Sequence, residues 1–116
     1  MQIDILTIFP EMFPAVLGSS ILKRAQASGH VQIAVHNLRD YTTDKRRTVD
    51  DRPYGGGPGM IMKPEPIFKA VEALEAKRHG ASTPKAAPQC QVVLMAPTGV
   101  QLTQALAKEL SGLSHL

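Results

Sequence analysis

Two hydrophobic periods alternate along this chain, one strand-like and one helical, and that alternation narrows its possible folds more than any other feature. Ile3-Asp4-Ile5-Leu6-Thr7-Ile8-Phe9 is rich in β-branched and apolar residues and is stopped by Pro10, as a buried strand is. Phe13 to Leu17 suits a short helical turn with Pro14 near its start. After Gly18, Ser19 or Ser20 caps a second helix with Ile21, Leu22 and Ala25 on one face, and Gly29 ends it. From His30 to Leu38 the pattern changes again. Val31, Ile33 and Val35 alternate with Gln32, Ala34 and His36, which reads as a half-exposed strand. Pro64 and Pro66 open a helix expected from about Ile67 to His79, with Ile67, Val71 and Leu74 in its buried stripe. A Pro/Ala/Ser/Thr connector follows from Gly80 to Pro88. Gln91-Val92-Val93-Leu94-Met95-Ala96 is a continuous apolar run of the kind buried on both faces of a sheet, and Pro97-Thr98-Gly99 turns the chain out of it. Leu102, Ala105, Leu106 and Leu110 then form an amphipathic helix. Strands separated by helices imply βαβ units. The expected class is α/β, with a largely parallel sheet, flanking helices and ligands beyond the carboxyl ends of the strands.

Composition narrows the chemistry. A chain of 116 residues supports one hydrophobic core, and with three Phe, two Tyr and no Trp that core is aliphatic. Cys90 is the only cysteine, which excludes an internal disulfide and a cysteine-based zinc cluster and fits a reducing, cytoplasmic setting. The amino terminus carries Asp4 inside its apolar stretch and has no basic leader, and no apolar run reaches membrane-spanning length, so a soluble protein with no membrane partner is expected. His30, His36, His79 and His115 lack metal-ligand spacing and read as solvent-facing or structural, with no metal. A net charge of +3 and a pI near 9.2 favour polyanionic partners without deciding the matter.

From Arg39 to Gly59 periodicity disappears, and an aperiodic stretch of that length is either functional or hides an element. Arg39, Lys45, Arg46, Arg47 and Arg52 alternate there with Asp40, Asp44, Asp50 and Asp51. Such a segment is no polybasic arm. It meets a nucleic acid by placing single cations on phosphates, with the aspartates orienting the loop, or else it is a solvated loop with internal ion pairs. Gly55-Gly56-Gly57-Pro58-Gly59 could cradle a phosphate through its backbone N–H groups. Both the Walker and the dinucleotide glycine patterns fail at Met60, so a mononucleotide- or anion-binding module is one alternative and a ligand-free turn another.

The glycines do not stand alone. Arg47-Thr48-Val49-Asp50-Asp51-Arg52-Pro53-Tyr54-Gly55-Gly56-Gly57-Pro58-Gly59-Met60 resembles the signature of the TrmD family of tRNA guanine-N1 methyltransferases. Ile8-Phe9-Pro10-Glu11-Met12-Phe13 resembles that family's opening strand and turn, and Leu94-Met95-Ala96-Pro97-Thr98-Gly99 its strand end at the cofactor pocket. The resemblance implies a SPOUT-class α/β fold with a trefoil knot around S-adenosylmethionine and two subunits sharing each active site. It implies methyl transfer to N1 of the guanine at tRNA position 37, with tRNA and a second copy of the chain as partners. On that reading Leu94, Met95, Ala96, Pro97 and Gly99 contact the cofactor, although Ala96 stands where the family more often has serine and offers no side-chain hydrogen bond. Tyr54, Gly55, Gly56, Gly57, Pro58 and Gly59 lie beside the substrate guanine or the methionine end of the cofactor. Lys45, Arg46 and Arg47 lie on the tRNA. Asp50 and Arg52 read as structural. The family's catalytic aspartate and arginine belong to a later segment, so no general base is assigned within residues 1–116. The chain is then the amino-terminal part of the cofactor-binding domain, inactive by itself, without the rest of that domain or a carboxy-terminal tRNA-binding domain. A folding or dimerisation fragment without chemistry is the remaining alternative.

Overall fold

The computed structural model describes residues 1–79 and 90–116. Its regular elements are β1 (Gln2–Thr7), α1 (Pro14–Leu17), α2 (Ser20–Ala27), β2 (Gln32–Asn37), β3 (Asp50–Asp51), β4 (Ile61–Met62), α3 (Pro64–His79) and α4 (Gln104–Leu110), with 3-10 turns at Pro10–Met12 and Leu38–Tyr41. The chain divides into two compact units. Met1–Ile5, Phe13–Ala34 and the carboxyl-terminal stretch make the first; Leu6–Met12 and the residues from Val35 through α3 make the second.

The first unit is a parallel ladder. Gln32 N–H donates to Met1 O while the Met1 amino group donates to His30 O, the offset pattern that parallel neighbours make. On the other side of β1, Gln2 N–H donates to Ser114 O and Leu116 N–H donates to Gln2 O, and His115 bridges in parallel both to Gln2 and to Cys90. The spatial order is therefore β2, β1, residues 114–116, then Cys90. In α2, Ser19 stands at the cap position, but its hydroxyl donates to Ala15 O and makes no capping bond, and Gly29 leaves the helix at φ +72°. Its apolar face is only partly covered: Leu22 and Ala25 are half-buried, whereas Ile21 is exposed. In α4, Thr103 Oγ1 caps the amino end by accepting from Leu106 N–H, so the helix starts after Leu102, which is exposed.

One sequence expectation fails here. Beyond the bridge at Cys90, residues 91–96 are not a strand, and Val92, Val93, Leu94 and Met95 are exposed instead of buried on both faces. Their neighbour in the ladder is the three-residue stretch 114–116, which engages Cys90 and Gln91 and reaches no further along the run. An apolar run becomes a buried strand only where another strand lies beside it.

The second unit has the buried core. Leu38, Val49 and Ala70 are almost fully enclosed, with Leu6, Ile8, Tyr41 and Ile67 packed against them. Each comes from a different kind of element. Leu38 opens the 3-10 turn, where Asn37 Oδ1 accepts from Arg39 N–H. Ala70 lies on α3 with Pro66 one turn before it, both buried. That helix begins at Pro64, three residues ahead of the Ile67 start that periodicity suggests. The first turn's N–H groups have no helical partner in any case, so prolines at 64 and 66 cost it nothing there. The stretch read as aperiodic, Arg39 to Gly59, contains the first strand of a small antiparallel hairpin whose second strand lies just beyond it, with Asp50 opposite Met62 and Asp51 opposite Ile61. Lys63 N–H donating to Val49 O extends it by one bond. Val49 is 0% exposed and anchors the hairpin to the core. The connector read from Gly80 to Pro88 lies outside the described residues.

Candidate functional site

The hairpin loop from Arg52 to Met60 is exposed except at Pro53, which is half-buried. Gly56 N–H donates to Pro53 O, closing a four-residue turn with Tyr54 and Gly55 at its centre. Gly55 has φ +81°, the value that the third residue of a type II turn requires and that a Cβ opposes. Gly56, Gly57 and Gly59 also have positive φ, and a Cβ built on any of the four meets nothing within 4 Å. Their glycine character thus answers to backbone geometry rather than to crowding, and open space lies beside the backbone. Tyr54, at the turn's outer corner, is 99% exposed. It does not pack the loop onto the protein, which leaves both ring faces free for a planar partner.

The turn that precedes β3 is closed by its own side chains. Both carboxylate oxygens of Asp44 accept from Thr48 N–H at 3.1 Å, and Thr48 Oγ1 donates to Asp44 Oδ2 at 2.9 Å. These bonds, the backbone N–H of Thr48 first and its hydroxyl second, hold the Asp44 carboxyl below the ordinary aspartate range. Arg47 N–H donates to Asp44 O, and Arg47 itself adopts φ +55°. Its guanidinium lies 3.1 Å from Asp40 Oδ1, and Arg39 donates to its carbonyl at 3.2 Å. The three basic residues assigned to RNA therefore differ. Arg47 has an internal acidic partner, whereas the exposed Lys45 and Arg46 have no ion-pair partner among the described residues. Sequence reasoning names Asp44 only as one of four aspartates orienting the loop; its bonds to Thr48 are what single it out. The signal was an aspartate four positions before a threonine.

On the other side of the hairpin, Asp51 Oδ1 accepts from Arg52 N–H at 2.8 Å. Asp50 sits in the ladder opposite Met62.

The 94–99 segment belongs to the first unit. Leu94 and Met95 are 79% and 86% exposed. Gly99 N–H donates to Ala96 O at 3.0 Å, closing a turn with Pro97 and Thr98 at its centre. A Cβ on Gly99 would stand 3.1 Å from Ala96 O, so this glycine keeps the turn tight by packing rather than by an unusual φ. The main chain of residues 92–95 makes no ladder bond among the described residues, so apolar side chains and open backbone groups occur side by side. His115 is structural: it is buried and lies 2.6 Å from Asp4 Oδ2.

Residues 1–116 match the family profile described as tRNA (Guanine-1)-methyltransferase TrmD. The chain belongs to the TrmD family. It is 53% identical over 116 residues to a tRNA (guanine-N(1)-)-methyltransferase of Dictyoglomus turgidum, covering 100% of this chain and 43% of that protein. A Bacillus subtilis protein of the same name is 50% identical over 116 residues, again with the whole chain and 44% of the relative covered. The crystal structure of the tRNA (m1G37) methyltransferase from Aquifex aeolicus superposes with a TM-score of 0.81 at 33% identity, over 100% of this chain and 48% of that one. This TrmD chain thus spans less than half the length of these relatives. Its fold is the family's SPOUT-type α/β arrangement, a parallel ladder with helices. No helix among the described residues is long and apolar enough to cross a membrane.

Proposed function

We propose that this chain is the amino-terminal part of a cytoplasmic tRNA (guanine-N1-)-methyltransferase that modifies the guanine at position 37, and that it is inactive without the rest of its domain. The observation that carries the reading is the family match over the whole of residues 1–116, at about half identity to proteins named for that reaction. The remainder of the cofactor domain and a tRNA-binding domain complete the enzyme, which works as a homodimer with shared sites.

The roles follow from the chemistry of each segment. Exposed apolar side chains at Leu94 and Met95 beside open main-chain groups fit an adenine ring with its hydrogen-bonding edge, and the tight turn through Ala96, Pro97 and Gly99 fits a wall around it. S-adenosylmethionine, once bound, supplies a methyl group on a positively charged sulfur. The glycine backbone at 55–57 and 59, with Pro58, lets two ligands approach each other without side chains between them. Tyr54 stacks on a base of the anticodon loop. Lys45, Arg46 and Arg47 hold phosphates, Arg47 after leaving Asp40. N1 of guanine carries a proton at neutral pH, so methylation also needs a base for that proton and a donor for charge moving onto O6. Neither role is given to a residue of this chain.

A chimera tests the proposal. Residues 1–116 replace the matching segment of the Dictyoglomus turgidum relative, and transfer of labelled methyl from S-adenosylmethionine to an unmodified tRNA with guanine at position 37 is followed. Methylation mapping to N1 of that base is expected. A folded chimera that binds S-adenosylmethionine but leaves the tRNA unmethylated, beside an active parent, overturns the assignment.

A further inference from the structure

The turn from Asp44 to Thr48 places a negative charge among cations read as RNA contacts. Simple Coulomb reasoning makes Asp44 an obstacle to a polyanion. The geometry argues the opposite. Both carboxylate oxygens point back onto Thr48, meeting its N–H at 3.1 Å, and Oδ2 takes the Thr48 hydroxyl at 2.9 Å. Asp44 O accepts from Arg47 N–H at 3.0 Å, which makes Lys45 and Arg46 the two central residues of the turn. The far end is fixed as well, by Arg39 donating to the Arg47 carbonyl at 3.2 Å. Arg47 sits at φ +55°, a conformation that a residue with a Cβ keeps only when its surroundings impose it. Past Thr48 the chain goes directly into the enclosed Val49. The clamp therefore sets two cations, without an ion-pair partner among the described residues, on a turn that runs into the core.

We infer that Asp44 is a positioning residue for RNA binding, its carboxylate holding the turn so that Lys45 and Arg46 present their charges together to neighbouring phosphates. The inference rests on the reading of Lys45 and Arg46 as phosphate contacts. Preorganised cations bind without first losing the conformational freedom of a loose loop. Asp44 acts through its neighbours and does not touch the RNA.

The test measures binding of an anticodon stem-loop RNA to the chimera described above, which carries residues 1–116 within the full-length relative, by fluorescence anisotropy across a salt series. Asp44→Ala raises the formal net charge of residues 1–116 from +3 to +4, yet binding is expected to weaken about tenfold, with the salt slope falling by about one as phosphate contacts loosen. Asp44→Asn keeps one acceptor oxygen for Thr48 N–H and regains part of the loss. Thr48→Val leaves every charge in place, removes only the hydroxyl bond and weakens binding about threefold. In the background of Lys45→Ala with Arg46→Ala, Asp44→Ala has no further effect, the non-additivity expected of a residue that works through those two. Tighter or unchanged binding by Asp44→Ala, with circular dichroism unchanged, overturns the positioning role. If the double variant binds as well as the unmutated chimera, the reading of Lys45 and Arg46 as phosphate contacts fails instead.

Discussion

Asp44 also has a property that needs no RNA to observe. Its carboxyl lies below the ordinary value of 3.8, first because of the Thr48 backbone N–H and second because of the Thr48 hydroxyl. A group whose folded value is depressed contributes order that is complete above the unfolded value and is lost as pH falls through the folded one. The turn is thus expected to stay closed down to the ordinary aspartate value of 3.8 and to open below it. A pH series following the Thr48 amide proton by NMR checks this; an inflection at or above that ordinary value, or one that persists in Asp44→Asn, contradicts it. At this scale the sequence was informative about residue type and silent about pairing. The alternation of Arg39, Asp40, Asp44, Lys45, Arg46 and Arg47 announces a loop rich in charge, but which cation is tied to which aspartate depends on backbone torsions such as the positive φ of Arg47. Tyr54 is a similar case. Its ring reads equally as a stacking surface or as loop packing, and only its 99% exposure separates the two.

Among the elements, legibility followed length. β1, α2, β2, α3 and α4 are long enough for apolar spacing to mark them, whereas β3 and β4 are two residues each and leave no period to detect. Residues 91–96 carry the pattern of a buried strand, yet a pattern states what a segment does beside a partner, and residues 114–116 engage only its first positions. The three-residue stretch 114–116 had no periodic signal at all. It is held by three backbone bonds to β1 and by the contact of His115 with Asp4, 10% and 7% exposed. Removing one member of a buried polar pair deprives the other of that bond, at a cost of about 1–3 kcal/mol. Asp4→Ala is therefore expected to lower stability in urea unfolding by about 2 kcal/mol and to speed amide exchange at Leu116 and Gln91, whose N–H groups donate into this ladder. Gln2→Ala removes an exposed donor to Asp4 at 3.0 Å and serves as the control, with a change within about 0.5 kcal/mol. Equal effects of the two substitutions refute a strand-anchoring role for the pair.

For the molecule as a whole, what matters is how its apolar surface is distributed. The second unit encloses Leu38, Val49 and Ala70, while in the first Val92, Val93, Leu94, Met95, Val100 and Leu102 are 45–90% exposed. Exposed singly such side chains are unremarkable, but a contiguous run of them marks a surface that a partner or further chain covers. Under the domain proposal, the polypeptide that follows in full-length TrmD proteins lies against this run, turning the open main chain of residues 92–95 into a paired strand. Hydrogen exchange distinguishes the two states, because an unpaired amide exchanges near the rate of an unfolded chain while one inside a buried ladder waits for opening. In the 116-residue chain, amides 92–95 are expected to exchange within about tenfold of the unfolded rate, and the matching residues of the full-length Dictyoglomus turgidum relative at least about a hundredfold more slowly. Amides of the Leu38, Val49 and Ala70 core should change far less between the two proteins, since their burial is complete without any further residues. Equal protection of 92–95 in both proteins removes the physical basis for assigning this run to an unfinished cofactor domain.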